Sequence, residues 1–259
     1  MEGKDFLTTY MQQYADDYIL IGGNACVLNF ENIGANFRAT VDLDIVLITE
    51  STNDQFYEHL WNYIIEHGYE GKVYRGSNAG GSAYRFIQPE DNRVPNVPAQ
   101  IELFSRKPDY FDAALAKSPH ITQIRTGQGI SNFSAILLDD DVYKFIRSSR
   151  IQLKGISTVN LECLFGLKSV AWHSNQALFD ENKINDRNTV LKHPQDMISI
   201  ANVIEEAKET LFPAQIFDSL RHSRERLLSQ DVRAELQAAP RDIDVTIDYI
   251  DTFVRKQQV

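Results

Sequence analysis

Cysteine is scarce in this chain: Cys26 and Cys163 are the only two in 259 residues. Disulfide scaffolds are cysteine-dense, so both are expected to be reduced, buried small hydrophobes. No apolar run approaches the ~18–20 residues of a membrane helix. Met1-Glu2-Gly3-Lys4-Asp5 lacks the basic-then-apolar order of a signal peptide, so the expectation is a cytoplasmic protein with no membrane partner. Glycine (13) and proline (8) are too few for a collagen-like or low-complexity chain. Positive charge is also short, with 26 Lys and Arg against 36 Asp and Glu, a formal net charge of −10. That balance excludes a basic protein that coats nucleic acid, though not a locally basic cleft. Gly-x-Gly-x-x-Gly, Walker, His-Glu-x-x-His and Cys-x-x-Cys patterns are missing, which leaves no support for dinucleotide, P-loop or zinc sites. No Ser/His/Asp or Cys/His nucleophile set stands out.

What is present is a chain of ordinary globular composition, long enough for one large or two small domains. Residues 4–17 read as a helix, with Phe6, Leu7, Tyr10, Met11 and Tyr14 on one stripe. Tyr18-Ile19-Leu20-Ile21 reads as a buried strand that stops at a Gly22-Gly23 turn, and a helix is expected over 24–31. Asp42 to Ile48 is a strand, and a helix from Asn53 to His67 is ended by Gly68. Strands are expected across 71–104, with a turn-rich stretch at 76–81, and again near 121–125, 133–138 and 151–159. From about 160 the pattern turns helical, with one helix beginning at Leu161 and three more running to about 256. The reading is therefore an α/β half over 1–158 and a helical half over 159–259.

Ile19 to Leu47 is the most informative segment. Asp42 and Asp44 stand two apart on a strand, so both side chains leave one face while Leu43 and Ile45 enter the core. Two such carboxylates repel each other unless a cation sits between them. Mg²⁺ takes hard oxygen ligands of this kind together with substrate phosphates. Gly22-Gly23 ahead of a helix lets backbone N–H groups approach an anion. Glu102, on the polar face of Gln100-Ile101-Glu102-Leu103, is the candidate third acid. Each feature alone also fits an ordinary turn or a solvated strand face; their order along the chain is what points to metal-assisted phosphoryl or nucleotidyl transfer.

Gly22-Gly23, Arg38-x-Thr40-x-Asp42-Leu43-Asp44 and Ile101-Glu102-Leu103 resemble the polymerase-β-type nucleotidyltransferase superfamily, and most of all its AbiEii/AbiGii toxin-type members. The resemblance implies an α/β (α+β) nucleotidyltransferase fold, a small mixed sheet flanked by helices, followed by a C-terminal helical bundle. It implies metal binding by Asp42, Asp44 and Glu102, with Mg²⁺ serving attack on an NTP α-phosphate. It also implies nucleotide contacts from Gly22, Gly23, Asn24, Arg38 and Thr40. Position 24 is Asn where Ser or Thr is common, and the stretch from Gly23 to Asp42 is longer than usual.

The resemblance continues through Lys168, Arg187, Lys192 and Asp196. It implies that Lys168 and Lys192 contact the triphosphate and that Asp196 acts as acid, base or anchor for the lysine. From the residues themselves, Lys168 interrupts an apolar helix face, so it either snorkels outward or is held by a carboxylate. Asp196, just after Pro194, suits a helix first turn, either as a cap or as a functional acid. His193 reads as structural. Arg221, Arg224 and Arg226 form a basic cluster that is either a plain surface or an edge facing RNA or a partner.

The reading that follows is an Mg²⁺-dependent transfer of NMP from an NTP to RNA or protein, as in the toxin of a toxin–antitoxin or abortive-infection system with a cognate antitoxin. A fold that has lost catalysis and only binds a partner, and an enzyme that modifies a small molecule such as an antibiotic, use the same residues.

Overall fold

A computed structural model describes all residues except 1–5, 49, 51–52, 74–82, 96, 107–120, 127–128, 205–207 and 258–259. It is a mixed α/β protein that divides into two compact units, Met1–Val159 and Asn160–Val259. The glycine-rich stretch 76–82 lies outside the described residues. Among the described residues, no helix is long and apolar enough to cross a membrane.

The first unit is built on one sheet. In chain order it holds β1 (Tyr18–Ile21), α1 (Gly22–Asn32), β2 (Asp42–Leu47), α2 (Asp54–Glu66), β3 (Glu70–Val73), β4 (Ala83–Ile87), β5 (Gln100–Arg106), β6 (Ile121–Thr126), β7 (Gly129–Leu138), α3 (Asp140–Ser148), β8 (Arg150–Leu153) and β9 (Ile156–Val159). The sheet runs β3-β4-β7-β5-β2-β1-β9-β8, with β6 paired to β7 and an added β4–β5 pairing. β1 is apolar throughout because both of its faces are covered, and all four of its residues are buried. β2 alternates instead. Leu43 and Ile45 are sealed in the core, while Asp42 and Asp44 lie part-exposed on the opposite face.

Two helices follow directly from their patterns. α2 buries Phe56, Leu60, Tyr63 and Ile64 at helical spacing, and Gly68 ends that region with a left-handed φ of 65°. α1 is buried from Gly23 to Phe30, which explains its lack of a polar face. Cys26 and Cys163 are both buried, and neither is in a disulfide.

The structure corrects several local expectations. Residues 6–14 form a π-helical segment, Phe6–Met11, and a 3₁₀ turn, Gln12–Tyr14, in place of a continuous α-helix to 17. Gly22-Gly23 is the first turn of α1 and not a separate turn before it. α3 fills a stretch with no helix expected; the Asp139 side chain caps it by accepting from the N–H groups of Asp141 and Val142.

The second unit holds α4 (Leu161–Asp180), α5 (Arg187–Ala201), β10 (Thr210–Phe212), α6 (Ala214–Leu228), α7 (Gln230–Glu235), α8 (Pro240–Phe253) and β11 (Val254–Lys256). Four helices follow α4, where three were expected, and β10 and β11 add a parallel two-stranded ribbon. A Cβ at Gly166 would lie 2.7 Å from Ile216 and 2.8 Å from Phe212, so α4 approaches that wall as closely as glycine allows. Trp172, Phe165, Phe212, Ile216 and Leu220 fill the core around this contact.

Leu103→Ala, at a fully buried β5 position, should cost about 2–5 kcal/mol in urea unfolding. Ile65→Ala, at an exposed α2 position, should stay within about 0.5 kcal/mol of the parent.

Candidate functional site

Strand register assembles the candidate site. β2 and β5 are parallel, with Asp42 opposite Gln100 and Asp44 opposite Glu102. β4 is antiparallel to β5, with Arg85 opposite Glu102. β1 is antiparallel to β2, with Ile21 opposite Asp44. One row therefore crosses four strands in the order Ile21, Asp44, Glu102, Arg85. Paired residues leave the same face of a sheet, and Asp42 joins that face two residues before Asp44.

Gly22 follows Ile21 with a left-handed φ of 73°, and a Cβ there would lie 1.9 Å from Oδ2 of Asp44. The missing side chain is what lets the Asp44 carboxylate rest against the backbone at the start of α1. A Cβ at Gly23 would lie 2.5 Å from Oγ1 of Thr40, so the second glycine makes room for Thr40. Asn24 is fully buried, and its Nδ2 donates to the Asp42 carbonyl at 2.7 Å. Its Oδ1 is buried with no partner among the described residues. Gly22, Gly23, Asn24, Thr40, Asp42 and Asp44 thus meet at one helix N-terminus, where backbone N–H groups favour negative charge. Arg38 lies in the adjoining loop with its guanidinium 5.6 Å over the Phe37 ring.

Glu102 is 9% exposed, and Nε and Nη2 of Arg85 both donate to its Oε1, at 2.9 and 2.5 Å. Sequence reasoning missed this arginine. Its signal is a charge between Tyr84 and Phe86, at the strand position that faces Glu102 once the register is known. The donor set of Asp42, Asp44 and Glu102 is all carboxylate oxygen, which suits a hard divalent ion. Oδ1 of Asn24, without a partner among the described residues, belongs to the side chain whose Nδ2 bonds the Asp42 carbonyl. Among the described residues, no three His, Cys, Asp or Glu side chains already converge as a metal cluster. The residues therefore fit an ion at Asp42 and Asp44, with Glu102 held back by Arg85.

In the second unit, Nζ of Lys168 lies 2.7 Å from Oδ2 of Asp196, and both side chains are buried. The lysine is thus held and does not snorkel. Asp196 corrects an expectation: α5 begins at Arg187 under an Asp186 cap and runs through Pro194, so Asp196 sits inside the helix and not in its first turn. Its charge is matched by Lys168 rather than by a helix terminus. Arg187 donates to Glu235 and Gln176. Asp186 is lowered below the usual carboxylate range by the Thr189 hydroxyl, the Asn188 N–H and the charge of Lys192. His193 Nε2 lies 2.9 Å from Asn175 Nδ2. Of the three α6 arginines, Arg221 and Arg224 line one shallow pocket, where Arg224 pairs with Asp251, while Arg226 packs over Trp172.

No family model, no curated protein and no solved structure matches this chain.

Gly22→Ala should cost about 1–3 kcal/mol in chemical unfolding, since the new methyl meets Asp44 in a left-handed backbone. Lys168→Met should cost about 3–5 kcal/mol by removing the cation paired with buried Asp196, and Lys168→Met with Asp196→Leu should recover most of that loss.

Proposed function

We propose that this chain is a divalent-metal-dependent nucleotidyltransferase that moves an NMP from an NTP to an acceptor. In this reading the first unit is a polymerase-β-type catalytic domain and the helices of the second unit form its C-terminal bundle. The observation that carries the proposal is the register of Asp44 beside Glu102, next to Asp42, with the Gly22 backbone against the Asp44 carboxylate.

Asp42 and Asp44 would hold Mg²⁺, with Glu102 as third ligand or as the base for the acceptor hydroxyl. The ion would supply charge stabilisation for the phosphates and for a developing alkoxide. The acceptor oxygen bonds to the α-phosphorus, the bond from that phosphorus to the bridging oxygen breaks, and pyrophosphate leaves with the electron pair. The hydroxyl proton passes to a carboxylate. The first N–H groups of α1, near Gly22 and Gly23, would receive phosphate oxygens, with Asn24, Arg38 and Thr40 beside them. The family resemblance alone assigns Lys168 and Lys192 to the triphosphate; within the second unit the Lys168 ammonium is buried and paired with Asp196, which anchors it.

The acceptor class is RNA or protein, as for the toxin of a toxin–antitoxin pair, or a small molecule such as an antibiotic. The hold of Arg85 on Glu102 favours one rival reading, a catalytically silent domain that binds a partner.

Incubation with each α-labelled NTP, Mg²⁺ and cellular RNA or protein should give labelled acceptor, and Asp42→Asn with Asp44→Asn should lower transfer by about a hundredfold or more. Transfer that survives this double substitution overturns the assignment. Thermal stabilisation by an NTP only when Mg²⁺ is present supports the enzyme, and its absence with every NTP supports the silent domain.

A further inference from the structure

Carboxylates on one sheet face repel, and this protein places the Arg85 guanidinium beside Glu102. Arg85 and Glu102 are opposite each other in register, and two guanidinium nitrogens share a single Glu102 oxygen. On the other side of Glu102, in register on β2, stands Asp44. Adjacent strands lie about 4.8 Å apart, so a Glu102 carboxylate can reach toward either neighbour by side-chain rotation alone. Resting on the metal-site reading above, we propose that Arg85 is a positioning residue that competes with the divalent ion for Glu102. Its guanidinium holds Glu102 in the absence of the ion and releases it when Glu102 joins Asp42 and Asp44.

The strength of the pair suits such an exchange. Arg85 is 34% exposed at its side chain and Glu102 11%, so the pair is only partly withdrawn from water. A pair of that kind is weak. It is enough to hold the Glu102 carboxylate on the Arg85 side while no ion is bound. A doubly charged ion that accepts hard oxygen ligands outweighs one guanidinium for the same carboxylate. The strands need not move, because the register already sets both partners at the level of Glu102.

The test is Mn²⁺ binding to the full chain without nucleotide, followed by the EPR signal of free Mn²⁺, with circular dichroism to check folding. Arg85→Gln should tighten Mn²⁺ binding by about fivefold, the weight of a part-exposed ion pair. In a Glu102→Gln background the same substitution should change nothing, since the effect passes through Glu102. Arg85→Lys keeps the charge, loses the fork and should tighten binding by a smaller factor; it carries the test if Arg85→Gln unfolds. Unchanged or weaker Mn²⁺ binding on either substitution overturns the proposal. Equal tightening in the Glu102→Gln background also overturns it, because loss of charge alone would then explain the effect. Mn²⁺ binding that survives Asp42→Asn with Asp44→Asn, read as continued loss of the free-ion signal, overturns the metal-site reading itself, and the competition with it.

Discussion

The parallel register of β2 with β5 is the constraint on which the first unit turns. Leu43, Ile45, Ile101 and Leu103 are all fully buried, and the pairing sets Leu43 beside Ile101 and Ile45 beside Leu103. A slip of either strand by one residue would carry its two apolar side chains to the polar face and its acids into the core. The hydrophobic effect on one face therefore fixes the positions of Asp42, Asp44 and Glu102 on the other. β1 continues the same logic, since its buried run ends opposite Asp44 and delivers Gly22 to that carboxylate.

Charge is handled differently in the two units. In the first, Asp42 and Asp44 lie part-exposed, and buried Glu102 pairs with an arginine that is itself a third exposed. In the second, Lys168 and Asp196 are both buried and 2.7 Å apart, so loss of either removes an ion pair withdrawn from water. The first arrangement can exchange partners, whereas the second is a fixed strut between α4 and α5.

Much of the secondary structure was legible because it follows from local pattern. The apolar run 18–21, the alternation in 42–47 and the stripe in 54–66 became β1, β2 and α2, and the shift toward helices near 160 lies where the two units divide. α3 escaped notice because it has only nine residues, which open with Asp140 and Asp141 behind the Asp139 cap. The helix through Pro194 escaped because proline normally marks a helix start or end. Burial of Val190, Leu191, Met197 and Ile198 on both sides of it keeps α5 continuous.

By itself, the sequence determined that Asp42 and Asp44 share a face, that Glu102 is the polar member of an apolar strand, and that a glycine pair ends the first apolar strand. These are matters of period and composition within a few residues. Only the tertiary structure decided that Glu102 stands beside Asp44, that Arg85 holds it, that Asn24 bonds the Asp42 carbonyl, and that Lys168 meets Asp196. Each of those joins residues 17 to 58 positions apart, and such distances are closed by strand register and helix packing, which no local pattern encodes.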